Sequence, residues 1–167
     1  MKKIIFNDLW KAYPSDAPCD TKIFSNQCAI KVGTALAKCG VKTTTLVTKG
    51  RHCWQHKDAE GHVLSATELA AGLKKAKIDG IASSIDVAAK DFKAQIAGKK
   101  GIIYFEDYWL RAEDKPGSPT GDHIDLWNGS RLTDFTSWFR VQMGISYEGV
   151  WSDFEKSKKI IFWRVSE

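Results

Sequence analysis

No run in this sequence stays apolar for long enough to cross a membrane. The longest such stretches, Ile102-Ile103-Tyr104-Phe105 and Ile160-Ile161-Phe162-Trp163, have the length of strands. The N-terminus carries Lys2 and Lys3 but no long hydrophobic core and no small-residue cleavage site, so no export signal is expected. Internal repeats and low-complexity tracts are absent as well. Lysines are numerous, yet no basic run interleaves regularly with aromatic residues as a nucleic-acid platform would. The lysines at 74–77, 99–100 and 156–159 read as solvated faces and loop ends.

What is present suits a soluble globular protein. Hydrophobic residues make up 43% and charged residues 27% of 167, enough for one domain over 1–167 with a real core. The net charge of +5 suits an anionic wall polymer, an acidic partner or nucleic acid. Seven tryptophans are many for this length, so some must be core. Trp54, Trp109 and Trp127 stand near polar loop signals and are candidates to line a groove.

The most informative stretch is Gly121-Asp122-His123-Ile124-Asp125-Leu126-Trp127-Asn128-Gly129. His123, Asp125 and Trp127 alternate with Ile124 and Leu126, as in a strand with one polar–aromatic and one aliphatic face. Asn128-Gly129 is a strong signal for a two-residue hairpin turn. Counting outward from that turn sets Trp127 opposite Ser130, Asp125 opposite Leu132 and His123 opposite Asp134. Directly opposed side chains have Cβ atoms about 4.5–5.5 Å apart. That register predicts a histidine beside an orienting acid and leaves a nucleophile to be found.

Residues 25–40 read as a helix, with Asn26 or Ser25 to cap its start and Gly40 to end it. Ala29, Val32, Gly33, Leu36 and Ala37 form a stripe of mostly small residues that lets another element come close. Cys28 falls in the first turn, where unpaired N–H groups and the helix dipole favour thiolate. The same N–H groups can hold an oxyanion. A cysteine at a helix start, followed far downstream by a strand histidine and a carboxylate, is the order used by papain-like hydrolases. Taken alone, Cys28 also fits a small buried hydrophobe and His123 a structural histidine.

Asn26-Gln27-Cys28-Ala29-Ile30-Lys31 and the 121–129 segment, with Asp134 eleven residues after His123, resemble the fourth family of type VI secretion amidase effectors. These are bacterial toxins with a papain-like fold that cut peptide crossbridges in the walls of competitors. Phe-Asn-Asp-Leu-Trp-Lys-Ala-Tyr-Pro at 6–14 and Gly-Ile-Ile-Tyr-Phe at 101–105 resemble further parts of that family. The resemblance implies Cys28 as nucleophile, His123 as general base and acid, and Asp134 as the orienting acid. It implies cleavage between D-glutamate and meso-diaminopimelate. The partners it implies are a wall peptide, a cognate immunity protein and a component of the secretion machinery. Delivery would need no signal peptide, and action would fall in the target cell's periplasm. Asn26 and Gln27, beside the nucleophile, and Asp125 and Trp127, on the histidine's strand face, are candidate substrate contacts. Two features depart from the family: Lys31 stands where arginine is common, and Leu132 and Thr136 stand where some members carry a cysteine pair.

The remaining pattern predicts an α+β fold, with N-terminal helices packed on an antiparallel sheet. A helix is expected over 6–13 up to Pro14, a strand over 43–48, and a loop over 51–61. A capping box at Ser65-Ala66-Thr67-Glu68 should open a helix to about Lys77. Ile85, Ala89, Phe92 and Ile96 share one helical face, and Gly98 ends that helix. Strands follow over 102–106, 123–127, 131–135 and 159–165, with an exposed loop over 113–120. Among the other cysteines, Cys39 reads as packed. Cys19 and Cys53 lie in loops that flank the Cys28 helix and can join as a disulfide in an oxidising compartment. His52, Cys53, His56 and His62 match no standard zinc spacing, so neither a metal nor another cofactor is expected. A cysteine acyltransferase of transglutaminase type and a non-catalytic basic binding module are the competing functions. Transfer to an added amine would mark the first, and an unreactive Cys28 the second.

Overall fold

A computed structural model describes residues 2–56, 60–111, 113–133 and 154–167. Its helices are α1 (Phe6–Ala12), α2 (Cys28–Lys38), α3 (Ala66–Lys75) and the single-turn α4 (Phe92–Ile96). Its strands are β1 (Ile85–Val87), β2 (Gly101–Trp109), β3 (Gly121–Trp127) and β4 (Lys159–Arg164). The strands form one antiparallel sheet in the order β1-β4-β2-β3.

Alternation along the strands divides the core. Ile102 and Tyr104 of β2, Ile124 and Leu126 of β3, and Ile161 and Trp163 of β4 face the N-terminal helices. There they meet Leu9 of α1, Val32 and Leu36 of α2, and Leu69 and Leu73 of α3. Ile103, Phe105, Trp127, Ile160 and Phe162 face the other way, onto Phe92, Ile96 and Phe154. Both sheet faces are therefore covered, which explains the near-continuous apolar runs of β2 and β4. Each fully buried Leu, Ile or Phe contributes about 1.5–3 kcal/mol.

The small-residue stripe of α2 does what its composition predicts. A Cβ on Gly33 would collide with the carbonyl oxygen of Gly61, so the loop carrying Gly61 lies directly on the helix. Ser65 caps α3, its hydroxyl accepting from the Glu68 amide at 3.3 Å.

Three local expectations change. Residues 43–48 are not a strand, because Thr43–Thr45 forms a 3-10 turn. The buried Thr43 hydroxyl lies 3.2 Å from His52 Nε2, donates to Glu60 and accepts from the Gly61 amide, so local polar bonding outweighs β-branching there. Residues 85–96 are not one helix: Ile85–Val87 pairs with β4, and Asp91 at φ 57° breaks the chain before α4.

The turn after β3 is not a two-residue hairpin. Trp127 pairs with Leu132, not Ser130. Asn128 Oδ1 accepts from the Ser130 and Arg131 amides at 3.0 and 2.9 Å, and the Asn128 amide donates to the Arg131 carbonyl. Asparagine here caps a wider loop by bonding to its own backbone neighbours, in place of the positive φ that a type I′ turn demands. Gly129 alone has positive φ, at 103°. The register that set His123 opposite Asp134 is therefore not the one formed, and Asp134 lies outside the described residues. Most of the strand expected over 131–135 lies outside them too.

Candidate active site

The site forms where the start of α2 meets β3. Helix α2 begins at Cys28 with Gln27 as its N-cap. Asn26 does not cap in the usual way; its Oδ1 accepts from the Cys28 amide at 3.1 Å. Gln27 is buried, and its Nε2 donates to the carbonyls of Phe24 and Cys19 at 2.5 and 3.2 Å. Gln27 thus braces the approach to the helix. Its amide nitrogen is held by backbone carbonyls, and the residue is 4% exposed. Lys31, where the family often has arginine, is buried and donates to the Ser15 carbonyl at 3.3 Å.

His123 comes from β3 and is 3% exposed. Its Nε2 lies 3.4 Å from Asp125 Oδ2, the two residues sharing one strand face as alternation requires. Asp125 is fully buried. Its Oδ1 accepts from the Leu126 amide at 2.7 Å and from the Thr133 hydroxyl. Phe105 stacks on the imidazole at 6.3 Å between centroids and 23° between planes, and Phe154 lies 5.9 Å away on a tilt. This enclosure desolvates the ring, and desolvation alone would pull its pKa down. Hydrogen bonds and charge from Asp125 and from the Cys28 sulfur outweigh it and raise the pKa to about 10. His123 thus interacts with both the Cys28 sulfur and the Asp125 carboxylate.

Trp127 stands elsewhere. It is 1% exposed, donates through Nε1 to the Ile96 carbonyl at 3.1 Å and packs against Phe92. It is core, and the expectation that it touches substrate or lines a groove is corrected. Asp125 likewise supports the histidine and has no open face toward substrate. Trp109 does line a groove, of about 540 Å³, together with Asn26, Arg51, Thr67, Arg111 and Asp122. Asn26 is thus the one predicted contact that borders this open volume. The alternation pattern did not single out Asp122, whose carboxylate accepts from the Thr67 hydroxyl and from the Asp107 amide and so ties α3 to the irregular end of β2.

A family model for "Type VI secretion system (T6SS), amidase effector protein 4", or Tae4, matches residues 24–163. The chain belongs to this family. The Tae4 fold is also recovered in structure. The crystal structure of the type VI effector Tae4 from Enterobacter cloacae superposes at a TM-score of 0.62 with 19% identity, over 100% of both chains. The Tae4 of the Tae4/Tai4 effector–immunity system from Salmonella typhimurium superposes at 0.58 with 16% identity, over 99% of this chain and 100% of that one. No match is found among curated proteins. As a Tae4-family amidase effector with a papain-like α+β fold, the chain is a hydrolase. A cysteine at a helix start beside a buried histidine suits that chemistry.

Proposed function

We propose that this Tae4-family chain is a single-domain peptidoglycan amidase that cleaves the γ-D-glutamyl–meso-diaminopimelate bond with Cys28 as its nucleophile. The observation that carries the reading is the Cys28–His123–Asp125 contact at the start of α2. His123 takes the Cys28 proton, and its raised pKa favours keeping it. The thiolate attacks the γ-glutamyl carbonyl carbon and forms a C–S bond. The helix-start N–H groups face the developing oxyanion, with Asn26 yielding the Cys28 amide that it otherwise holds. His123 gives its proton to the leaving amine as the C–N bond breaks. Water then loses a proton to His123 and attacks the thioester, releasing the γ-carboxylate and restoring the thiolate.

Two carboxylates have support as the orienting acid. Asp125 has the contact with Nε2, and Asp134 has the family spacing. Arg51 and Arg111 on the groove wall suit the carboxylates of a wall peptide. The Salmonella relative's pairing with Tai4 supports a cognate immunity protein for this chain. Family membership supports a secretion-machinery partner and action in the periplasm of the target cell.

The test is mass spectrometry of muropeptides after incubation with wild type and with Cys28→Ala. Release of the predicted fragments by wild type alone is expected. Equal release by Cys28→Ala, or transfer to an added amine in preference to water, would overturn the reading.

A further inference from the structure

A second cluster lies beside α2, in the loops that flank it. The loop before α2 carries Cys19, and the loop after it carries Cys53, His56 and His62. One ligand atom from each of these four residues lies within 4.8 Å of every other. Cys19 Sγ is 3.3 Å from His62 Nδ1 and 3.9 Å from His56 Nδ1, and Cys53 Sγ is 3.5 Å from His56 Nδ1. A tetrahedral ion with sulfur at about 2.3 Å and nitrogen at about 2.0–2.1 Å sets such S···N pairs about 3.6 Å apart. The observed distances bracket that value.

We propose that Cys19, Cys53, His56 and His62 form a structural zinc site that ties together the two loops flanking α2. Two thiolates and two imidazoles in a tetrahedron favour Zn²⁺ over harder ions. Four protein ligands close the coordination shell, so the role is structural and not catalytic. A disulfide would use only the two sulfurs, which are free thiols here, and would leave unexplained two imidazole nitrogens gathered at the same point. The site is braced from outside: the Cys53 amide donates to the His62 carbonyl at 2.9 Å, and Cys19 and Cys53 pack on Ile30 of α2. The Cys19 carbonyl also accepts from Gln27, the N-cap of α2, so the metal would hold the segment that presents Cys28.

The experiment measures metal in the full chain, purified under reducing conditions without chelator. Native mass spectrometry and elemental analysis should give one zinc per chain. Cobalt substitution should give the thiolate charge-transfer and visible bands of a tetrahedral site. His56→Gln, at an exposed ligand, and Cys19→Ser should both lose the metal, while Cys39→Ser keeps it. A chelator should lower the melting temperature of wild type and leave that of His56→Gln unchanged. Failure of the reduced chain to take up added zinc or cobalt would overturn the proposal. So would undiminished binding in both ligand variants, or a folded, metal-free chain with a Cys19–Cys53 disulfide.

Discussion

Replacing Asp125 with asparagine keeps the shape of the side chain and removes its charge. At 3.4 Å from His123 Nε2, a full negative charge stabilises imidazolium by about 5 kcal/mol at an effective dielectric constant near 20. That equals roughly 3.5 powers of ten in proton affinity, which together with the Cys28 sulfur outweighs desolvation and raises the pKa to about 10. Without the charge, only the Cys28 sulfur opposes burial, and His123 holds its proton less tightly. A neutral imidazole neither holds a thiolate nor donates to the leaving amine. Turnover should then fall about 10³–10⁴-fold, the scale on which removing a triad carboxylate's charge acts. The assay is muropeptide release by Asp125→Asn and, in parallel, by Asp134→Asn, with Cys28 alkylation at neutral pH as a readout of thiolate. Slower alkylation in Asp125→Asn alone would identify the carboxylate that sets the pair's charge state. Near-normal turnover and alkylation in Asp125→Asn would refute the electrostatic reasoning and leave Asp134 as the orienting acid.

Because folding raises the His123 pKa above its usual 6.5, its stabilising contribution is complete below that pH and is lost as pH rises through about 10; melting temperature against pH for wild type and His123→Gln should diverge accordingly. Cys28 should be the cysteine that iodoacetamide labels first at neutral pH, because an imidazolium beside it favours thiolate, and peptide mapping that finds Cys39 faster would argue against the pair. Gly129→Val places a β-branched residue at φ 103° with its Cβ 3.2 Å from Gly98 Cα, so a thermal melt should show about 1–3 kcal/mol of destabilisation, with muropeptide release falling no further than stability does. Trp127→Ala should cost about 3–5 kcal/mol in denaturant unfolding with KM unchanged, since the indole fills core and not a binding groove.

The parts of the fold legible in the sequence were those set by backbone geometry and end signals. The α2 helix and its end before Gly40, the Ser65 cap, and strands β2, β3 and β4 follow from periodicity and end signals, whereas the cap expected at Asn26 or Ser25 falls at Gln27. The segment from Ile85 to Ile96 misled because its four apolar positions fit a helical face by spacing alone. Nothing in the pattern reveals that Asp91 adopts a left-handed conformation or that β4 is available to pair with Ile85–Val87. Trp127 misled for another reason. Alternation says which residues share a face, not whether that face is open, and here Phe92, Ile96 and Phe154 cover it. The local run His52, Cys53, His56 and His62 matches no standard zinc spacing. The gathered set instead takes Cys19, which precedes Cys53 by 34 residues and reaches the cluster only through the fold.

The hairpin shows which inferences tolerate a wrong register. Pairing Trp127 with Leu132 instead of Ser130 shifts the partner by two residues. A slip of one would turn every partner side chain to the opposite face; a slip of two preserves the face and changes only the residue across. The face assigned to His123 therefore survives, while its proposed cross-strand neighbour does not. The contact between His123 and Asp125 depends on no register, because two residues along one strand fix it. A buried His-x-Asp step is thus the one part of the charge arrangement that no change of loop length can dislodge. The same holds for the imidazole's raised pKa, to the extent that Asp125 sets it.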